Sequence, residues 1–347
     1  MKNIRDVAAA AHVSISTVSA VLKGEKYVSP HLKARVLAAM EQLGYTPKKR
    51  GRQRPRAALM VCVILPGIYS SFFPPLLNGI TEAATEFGYT IQLSDSCRSW
   101  EKERELVRAL IARGVNDLIL DSVCPLSDEE AYFEEIRSAM EPRGGNVVVL
   151  SRALKSDFFY QIYVDNYTTS YEATEHLIAL GHRQIAHICG SDVFPHSALR
   201  ARGYRTALLD HGIAVDEHLV LKGDFSPLSG YAAMDEFFAK GLKATAVFSA
   251  NDQMAVGAVK AIRRQGLRVP EDVAVAGFDN LFVAGLIEPN LTTVQYPIYQ
   301  MGYLAVRLLS ERRQGQKPPL KTRLNARLIV RRSTDTSKVD DLNLQKW

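Results

Sequence analysis

Side chains suited to binding a small polar molecule follow the segments that the hydropathy pattern predicts as β-strands. Arginine, asparagine and aspartate form paired hydrogen bonds with hydroxyl groups, and phenylalanine packs against an apolar ring face, so the combination suits a sugar. The positions selected on this basis are Phe72, Phe73, Arg152, Asp165, Phe225, Asn251 and Asp279. Arg200, which we place in the loop before Gly203, completes the set.

Structural roles compete with ligand binding at several of these positions. Asp279 and Asn251 could cap helices, and Phe72 could belong to a core. For Asp165 a structural role and a ligand contact are equally compatible with the pattern. Arg152 and Arg200 are harder to explain without a ligand, because an arginine that faces a crevice needs a partner for its charge.

Motifs for catalysis or metal binding are absent from the sequence. It contains no GxSxG motif, no GxxxxGK[ST] loop and no paired histidine or cysteine spacing. We therefore expect no enzymatic activity, no metal and no cofactor, with an enzyme on an α/β scaffold as the alternative. The scattered cysteines, which we expect to pack as small core residues, are Cys62, Cys97, Cys124 and Cys189.

From Ala58 onward, short apolar runs alternate with helical patterns. Runs such as 59–66, 147–150 and 246–249 predict buried strands, and glycines such as Gly88 and Gly266 end the helices between them. Two successive series of this kind predict two doubly wound parallel α/β lobes. Ligands of such sheets bind beyond the carboxyl ends of the strands, so the selected side chains should meet in a crevice between the lobes.

The first 46 residues predict a separate all-α domain with a helix-turn-helix. Asn3 can cap a first helix, and residues 12–14 interrupt the helical pattern before Ser14 caps a second helix. A third helix then begins, with Ser29 as its predicted cap and Pro30 at the first helical position. Its predicted apolar stripe is Leu32, Val36, Leu37, Met40 and Leu43.

The second helix has a face that suits the major groove of DNA. Ile15, Ser16, Ser19 and Ala20 share that face, and Val18 lies opposite, where it can pack on the first helix. The spacing alone leaves a helical hairpin of another small domain as an equal alternative.

Charge separates the N-terminal segment from the rest of the chain. Residues 1–56 carry twelve Lys and Arg against three Asp and Glu, whereas the remaining residues carry 31 against 34. This asymmetry predicts a polyanionic partner for the N-terminal segment, with a solubilising basic tail as the alternative. Because no apolar signal segment or membrane span is visible, we expect a cytoplasmic protein without a membrane partner.

Longer motifs carry a resemblance to a known family. IRDVAAAAHVSISTVSAVLKG and YVSPHLKARVLAAMEQLGYTP resemble the DNA-binding domain of the lactose-repressor and galactose-repressor family of bacterial transcription regulators. Segments such as TAVFSANDQMAVGAVKAIRRQGLRVPEDVAVAGFDN resemble the effector-binding core of that family, which is similar to periplasmic sugar-binding proteins. The resemblance implies a sequence-specific DNA-binding regulator, a repressor, whose operator affinity is controlled by a small effector. It also implies a homodimer on a pseudo-palindromic operator.

Residue roles in DNA binding follow from this resemblance. Ile15, Ser16 and Ala20 would face the bases, and Ser14, Thr17 and Ser19 would lie nearer the phosphates. Two departures are His12, where the family usually has Gly or Asn, and Ala20, where many members have Arg. Contact of Ile15 and Ala20 with thymine methyl groups is therefore the expected base recognition.

The linker 47–57 departs from the family pattern, because it has no leucine to insert into the minor groove. Arg50 and Arg52 flank Gly51 as in an AT-hook, so one hypothesis is that these arginines enter a narrow minor groove. The equally weighted alternative is a disordered basic tether that attracts phosphates without sequence preference.

The resemblance also assigns the effector site and the lobe boundaries. Arg152, Arg200, Asn251 and Asp279 fall on the polar effector contacts of the family, while Phe72, Phe73 and Phe225 fall on its aromatic contacts. We expect a neutral or acidic sugar or a sugar phosphate, with a purine-responsive regulator or a transport-type solute-binding protein as alternatives.

The expected organisation places the effector-binding and dimerisation core at 58–347, with lobe one at 58–160 and 292–320 and lobe two at 161–291 and 321–333. The tail at 334–347 is too short for a convincing coiled coil, so we predict no tetramer.

Overall fold

A computed structural model describes residues 3–23, 28–45 and 59–340 of the chain. By its internal contacts the chain divides into a unit formed by residues 1–58 and a larger unit formed by residues 59–347. The predicted minor-groove arm at Arg50 and Arg52 lies outside the described residues, as do the last seven residues of the predicted tail.

The N-terminal unit contains the helices α1 (Ile4–Ala10), α2 (Ile15–Lys23) and α3 (Pro30–Gln42). The predicted cap of α1 is confirmed, because the Asn3 side chain accepts from the Arg5 and Asp6 amides while Asp6 accepts from the Asn3 amide at 2.7 Å. His12 has a φ of 48°, so the turn requires the left-handed conformation there. The Ser14 hydroxyl accepts from the Thr17 amide at 3.1 Å and thus caps α2, as predicted.

The core of this unit comes from all three helices and is small. It consists of Val7, Ala8, Ala11, Val18, Val36 and Ala39. Two expectations for α3 are wrong. Leu37 is 50% exposed, because it lies one residue beyond the buried Val36 on the helix surface. Ser29 occupies the cap position, but its side chain forms no hydrogen bond with the helix, so the predicted side-chain cap is wrong.

Within residues 59–340, the larger unit has twelve strands in two six-stranded sheets. In chain order the strands are β1 (Leu59–Leu65), β2 (Tyr89–Asp95), β3 (Asp117–Asp121), β4 (Asn146–Leu150), β5 (Tyr160–Val164), β6 (Ile185–Ile188), β7 (Val220–Leu221), β8 (Ala246–Ser249), β9 (Ala274–Asp279), β10 (Thr292–Gln295), β11 (Lys321–Leu324) and β12 (Arg327–Ile329). The intervening helices are α4 (Phe73–Phe87), α5 (Trp100–Ala112), α6 (Glu129–Met140), α7 (Asn166–Ala179), α8 (Pro195–Asp210), α9 (Pro227–Ala239), α10 (Asp252–Arg264) and α11 (Ile298–Arg313).

Strand order defines two doubly wound lobes. The first sheet has the order β11-β5-β4-β3-β1-β2 and the second has the order β12-β10-β9-β8-β6-β7. Neighbouring strands are parallel except for β10 and β12. Central strands are apolar on both sides, as expected where helices cover both faces of a parallel sheet.

The chain passes between the lobes three times, and the crossings differ from the predicted boundaries. Strand β5 belongs to the first sheet, so the crossing after it lies near residue 165 and not at 160. Strand β10 belongs to the second sheet, and α11 then returns to pack on α4, whereas we assigned all of 292–320 to lobe one. Strand β11 then pairs with β5 in the first sheet, so only β12 of the segment 321–333 pairs in the second sheet. The sheet that each strand joins depends on pairing with segments that are distant in sequence. Local sequence patterns therefore cannot predict it.

Cysteine placement differs from the prediction at one position. Cys62 and Cys124 are buried and Cys189 is partly buried, in agreement with a packing role. Cys97 is exposed with a φ of 52°, and the Lys102 ammonium lies 3.0 Å from its sulfur. It belongs to the turn that follows β2 and therefore has no core to pack against.

Candidate functional site

A cavity lies where the carboxyl ends of the two sheets face each other. It encloses about 520 Å³ of space, including its open mouth. The lining residues are Ser70, Phe72, Phe73, Arg98, Asp121, Ser151, Phe194, His196, Arg200, Phe225, Asn251, Asp279 and Tyr296. Six of the eight residues selected from the sequence are therefore brought together here, and their binding of a ligand stays a prediction.

Arg200 is the central cation of the cavity and is 3% exposed. It lies on α8 and not in the predicted loop, because Pro195 begins the helix earlier than the pattern indicated. Its Nε donates to the Asn166 side chain at 2.9 Å, and its Nη1 donates to the Ala250 carbonyl. Its guanidinium lies 3.7 Å from the centre of the Phe278 ring, a cation–π contact. Protein groups therefore hold the side chain in place before any ligand arrives.

Asp279 ends strand β9 with a φ of 103° and faces Arg200. Its Oδ1 lies 3.5 Å from Arg200 Nη2 without hydrogen-bond geometry, so the contact is an ionic attraction and this buried oxygen lacks a hydrogen-bond donor. Burial raises the pKa of Asp279 to about 7, and Arg200 opposes the rise. Asp279 lines the cavity, and its Oδ1 is an acceptor without a hydrogen-bond donor.

Asn251 connects a helix cap to the cavity wall. Its side-chain oxygen accepts from the Met254 amide at 2.9 Å and caps α10, which confirms the structural role considered for it. Its Nδ2 donates to the Phe225 carbonyl at 3.1 Å. Phe225 adopts a φ of 70°, and a Cβ on Gly190 would lie 2.0 Å from its ring, so a glycine at 190 makes room for the ring.

Aromatic rings cover two sides of the cavity. On lobe two the Phe194, His196 and Phe225 rings pack together, with centres 5.3 to 5.7 Å apart. On the other side Phe72 contacts Phe73 at 5.3 Å and Tyr296 at 5.7 Å. Burial lowers the pKa of His196 well below 6.5, and Arg200 adds to this, so His196 is neutral near pH 7. These walls suit an apolar ring face.

Two hydrogen bonds join the lobes at the cavity. The Ser70 hydroxyl, after β1, donates to the Gln253 side chain on α10 at 3.1 Å. Arg98, after β2, donates to the Asp224 carbonyl at 2.9 Å. Both pairs connect a loop of the first lobe to the second lobe, so they form only when the lobes lie close together.

Two predicted site residues lie outside the cavity lining. Arg152 is buried, but its guanidinium pairs with Glu129 at 2.8 Å and donates to the Ser122 and Cys124 carbonyls. The partner that we expected a ligand to supply is thus part of the protein. Asp165 accepts from the Thr168 amide at 3.0 Å and caps α7, which is the structural alternative for this residue.

Seven lining residues were not selected from the sequence. Asp121 ends β3 and Ser151 follows β4. The strand-end rule, by which polar residues at or just after a predicted strand were selected, gave Asn251 and could have found them. Ser70 and Arg98 likewise follow β1 and β2, at greater distance. Tyr296 follows β10, whose membership of the second sheet depends on long-range pairing. Phe194 and His196 lie at the start of α8, where no local signal distinguishes them from residues of an ordinary first turn.

The N-terminal unit presents the residues predicted to contact DNA at the start of α2. Ile15 is 46% exposed although it is apolar, and Ser14 and Ser16 are exposed as well. The hydroxyls of Ser14, Ser16 and Thr17 form a cluster, with oxygens 2.6 and 2.8 Å apart. Ser19 and Ala20 are partly exposed, while Val18 is buried against the other helices. The predicted face is therefore accessible within this unit, and its contact with DNA stays a prediction.

Residues 3–23, 28–45 and 59–340 contain no group of three or more His, Cys, Asp or Glu placed to hold a metal ion. No helix within these ranges combines the length and apolar character needed to cross a membrane.

Two sequence families match the chain. The family described as "Bacterial regulatory proteins, lacI family" matches residues 3–48, and the family described as "Periplasmic binding protein-like domain" matches residues 174–334. The HTH-type transcriptional repressor CytR of Escherichia coli (strain K12) is 34% identical over 334 residues, covering 95% of this chain and 96% of CytR. Catabolite control protein A of Priestia megaterium is 33% identical over 311 residues, covering 89% of this chain and 91% of that protein.

Solved structures agree with these sequence relationships. The Lac repressor dimer bound to operator and the anti-inducer ONPF has a TM-score of 0.72 and 28% identity, covering 96% of this chain and 99% of that chain. The complex of the transcriptional regulator CelR with cellobiose has a TM-score of 0.69 and 32% identity, covering 96% and 100%. The predicted fold class is thereby confirmed, and a transport-type solute-binding protein is the weaker interpretation. The chain belongs to the lacI family of bacterial regulatory proteins and is a DNA-binding transcription regulator.

Proposed function

We propose that this regulator binds a sugar in the cavity between its lobes and that the bound sugar changes its affinity for operator DNA. The composition of the cavity carries the proposal. Carboxylate, amide and guanidinium groups of Asp279, Asn251 and Arg200 meet aromatic rings there, which is the combination that hydroxyls and ring faces require. A sugar ligand is also found in a related regulator, since the CelR structure is a complex with cellobiose.

The binding roles follow from the contacts. Asp279 accepts from a ligand hydroxyl through its unpaired Oδ1, and Arg200 holds that carboxylate in place. Phe72 and Phe225 approach the cavity from opposite lobes, so a ring between them contacts both lobes at once. Arg152 and Asp165 do not contact the effector in this proposal, because protein groups occupy them.

Ligand binding changes the relative stability of the open and closed lobe arrangements. A ligand that contacts both walls favours the closed arrangement, in which the Ser70–Gln253 and Arg98–Asp224 bonds form. The lobes can rotate about the three crossing segments, near residues 165, 296 and 325. Such coupling has a typical free energy of about 1–3 kcal/mol. It is compatible with induction and with co-repression.

DNA binding requires two N-terminal units, because one unit offers few base contacts. We therefore propose a homodimer on a pseudo-palindromic operator, with the exposed α2 residues Ile15, Ser16 and Ala20 at the bases. The Lac repressor structure is a dimer on its operator, which is the arrangement that we extend to this chain.

One experiment tests the DNA-binding surface with a charge. We would select duplexes from a random pool with the full-length protein and measure binding by fluorescence anisotropy. Ser16→Asp places a carboxylate in the first turn of α2, where it stabilises a helix but repels phosphates. We expect it to abolish binding, whereas the control Ala38→Asp, on an exposed position of α3, should retain most of it. Equal affinity of the two variants would contradict the proposed surface.

A second experiment identifies the effector class. Thermal shift with neutral sugars, sugar phosphates, uronates, amino sugars and purines should give a stabilising ligand, and the same ligand should change operator affinity. Asp279→Asn should remove the thermal shift, whereas Asp165→Asn should keep it. A purine that binds in place of every sugar would refute the sugar class. Consumption of the bound compound, measured by chromatography after incubation, would refute our proposal that the chain has no catalytic role.

A further inference from the structure

Asp121 is a buried carboxyl in the cavity whose charge the protein leaves unmatched. It ends strand β3, lines the cavity, and is 7% exposed. Ser151, which also lines the cavity, is close enough for its hydroxyl to lower the pKa of Asp121, and no Lys or Arg of the described ranges forms an ion pair with Asp121. An isolated desolvated carboxylate is strongly unfavourable unless a counter-charge or a proton is supplied.

The neighbouring groups increase the local negative charge. Glu103 is fully buried and raises the pKa of Asp121. It accepts from the Ser122 hydroxyl at 2.6 Å and the Val123 amide at 2.7 Å, which oppose the rise that burial causes in its own pKa. Arg152 is the cation of this wall, but it pairs with Glu129 and donates to two carbonyls. The carboxyls of Asp121, Glu103 and Glu129 all interact with Arg152. Its ion pair is with Glu129, which leaves Asp121 without one.

The cations of the opposite side do not balance Asp121. Arg200 donates to Asn166 and Ala250 and faces Asp279. Arg98 donates to the Asp224 carbonyl on the second lobe. Tyr296, whose pKa burial raises to about 12, stays neutral between the two aspartates. Burial also raises the pKa of Asp121 to about 7, and Glu103 adds to the rise while Ser151 and Arg152 oppose it.

Resting on the proposed sugar-binding function, we propose that Asp121 selects an effector with a protonated amine, so that the ligand is an amino sugar held with its cationic nitrogen toward lobe one. The amine supplies the missing counter-charge, and the remaining hydroxyls are left for Asp279 on the second lobe. The buried carboxyl of Asp121 in the cavity wall disfavours the acidic sugar or sugar phosphate that the residue types alone had indicated. Asp121 is thus a specificity residue at the end of β3.

Isothermal titration calorimetry of the full-length protein at pH 7 tests this selection. The probes are glucose, galactose and mannose, their 2-, 3- and 6-amino-deoxy forms, the N-acetyl derivatives and the uronates. The N-acetyl derivatives keep the nitrogen but remove its charge. We expect one amino sugar to bind at least about 30-fold more tightly than both its hydroxyl parent and its N-acetyl derivative, the size of effect found when a buried charge loses its partner.

Asp121→Asn should abolish that preference, because it keeps the shape and removes the charge, whereas Asp165→Asn should leave it unchanged. Preference for the parent sugar or the uronate over the amino sugar would overturn this inference while leaving the sugar proposal intact. A preference for the amine that survives in Asp121→Asn would also overturn it. If no sugar of the panel binds, both the sugar proposal and this inference fail. The ligand comparison is made on the wild-type protein and therefore does not depend on the folding of the variant.

Discussion

The unmatched charge of Asp121 predicts an unusual dependence of stability on pH. Burial raises the pKa of this carboxyl from 3.8 to about 7, so between these values the folded protein keeps a proton that the unfolded chain has lost. Stability from the protonated carboxyl is therefore fully present below about pH 4 and is lost as the pH rises through 7. Asp121→Asn removes the titration while preserving the shape, so the variant should not show this loss.

The expected magnitude follows from the pKa values. Each tenfold change in the acid equilibrium corresponds to about 1.4 kcal/mol, so the rise to about 7 corresponds to about 4 kcal/mol as an upper limit. Most of it falls between pH 4 and pH 7. Comparing pH 5 with pH 8, we expect the free energy of unfolding of Asp121→Asn relative to wild type to increase by about 2 to 3 kcal/mol. Other groups titrate in both proteins and largely cancel in the difference.

Urea denaturation at pH 5, 6, 7 and 8 measures this difference. Fluorescence is a suitable signal because Trp100 packs on Tyr132 in the first lobe, with ring centres 4.4 Å apart. Asp165→Asn, which removes a carboxyl outside the cavity lining, controls for the loss of one charge. A difference between Asp121→Asn and wild type that stays constant from pH 5 to pH 8 would refute the assignment of an unmatched buried charge. A variant less stable than wild type at pH 8 would refute it as well.

Three further perturbations test the packing and the contacts. Arg98→Ala removes the hydrogen bond to the Asp224 carbonyl, so calorimetry should show about fivefold weaker effector binding with little change in melting temperature. Unchanged affinity would contradict a role of Arg98 in closing the lobes. Gly79→Ala places a Cβ 2.1 Å from the Tyr299 carbonyl oxygen, so thermal unfolding should show a loss of about 1–3 kcal/mol, and a neutral result would refute the close approach of α4 and α11. Asn3→Ala removes the cap of α1 and should cost the N-terminal unit about 1 kcal/mol by circular dichroism, with weaker DNA binding; Asn3→Asp, which retains a capping oxygen, is its matched control.

Local patterns predicted most of the elements because each element has a local cause. The strand predicted at 246–249 coincides with β8, and the strands predicted at 59–66 and 147–150 differ from β1 and β4 by one residue each. Capping at Asn3 and Ser14 also follows from interactions within a few residues of the chain. Errors concentrate where distant segments decide, as in the assignment of β5, β10 and β11 to their sheets.

The residues of the candidate site also fall into those that local sequence predicted and those that depend on distant contacts. The strand-end rule correctly placed Asn251 and Asp279 at the cavity, because the carboxyl ends of parallel strands lie at one edge of the sheet. The same rule failed at Arg152, whose charge is matched by Glu129, a residue 23 positions earlier on α6. It also missed Tyr296, which reaches the cavity because β10 joins the second sheet.

The amino-acid sequence by itself determined the family, the two-lobed α/β architecture, the basic helix-turn-helix and the edge of the sheets at which a ligand would bind. These depend on periodicity, caps and motifs that are read within a few turns of chain. The tertiary structure decided which side chains are free to meet a ligand. Arg152 and Asp165 are occupied by protein partners, whereas Asp121 is buried without a counter-charge, because the balance of charge in a desolvated site depends on groups brought together from distant positions.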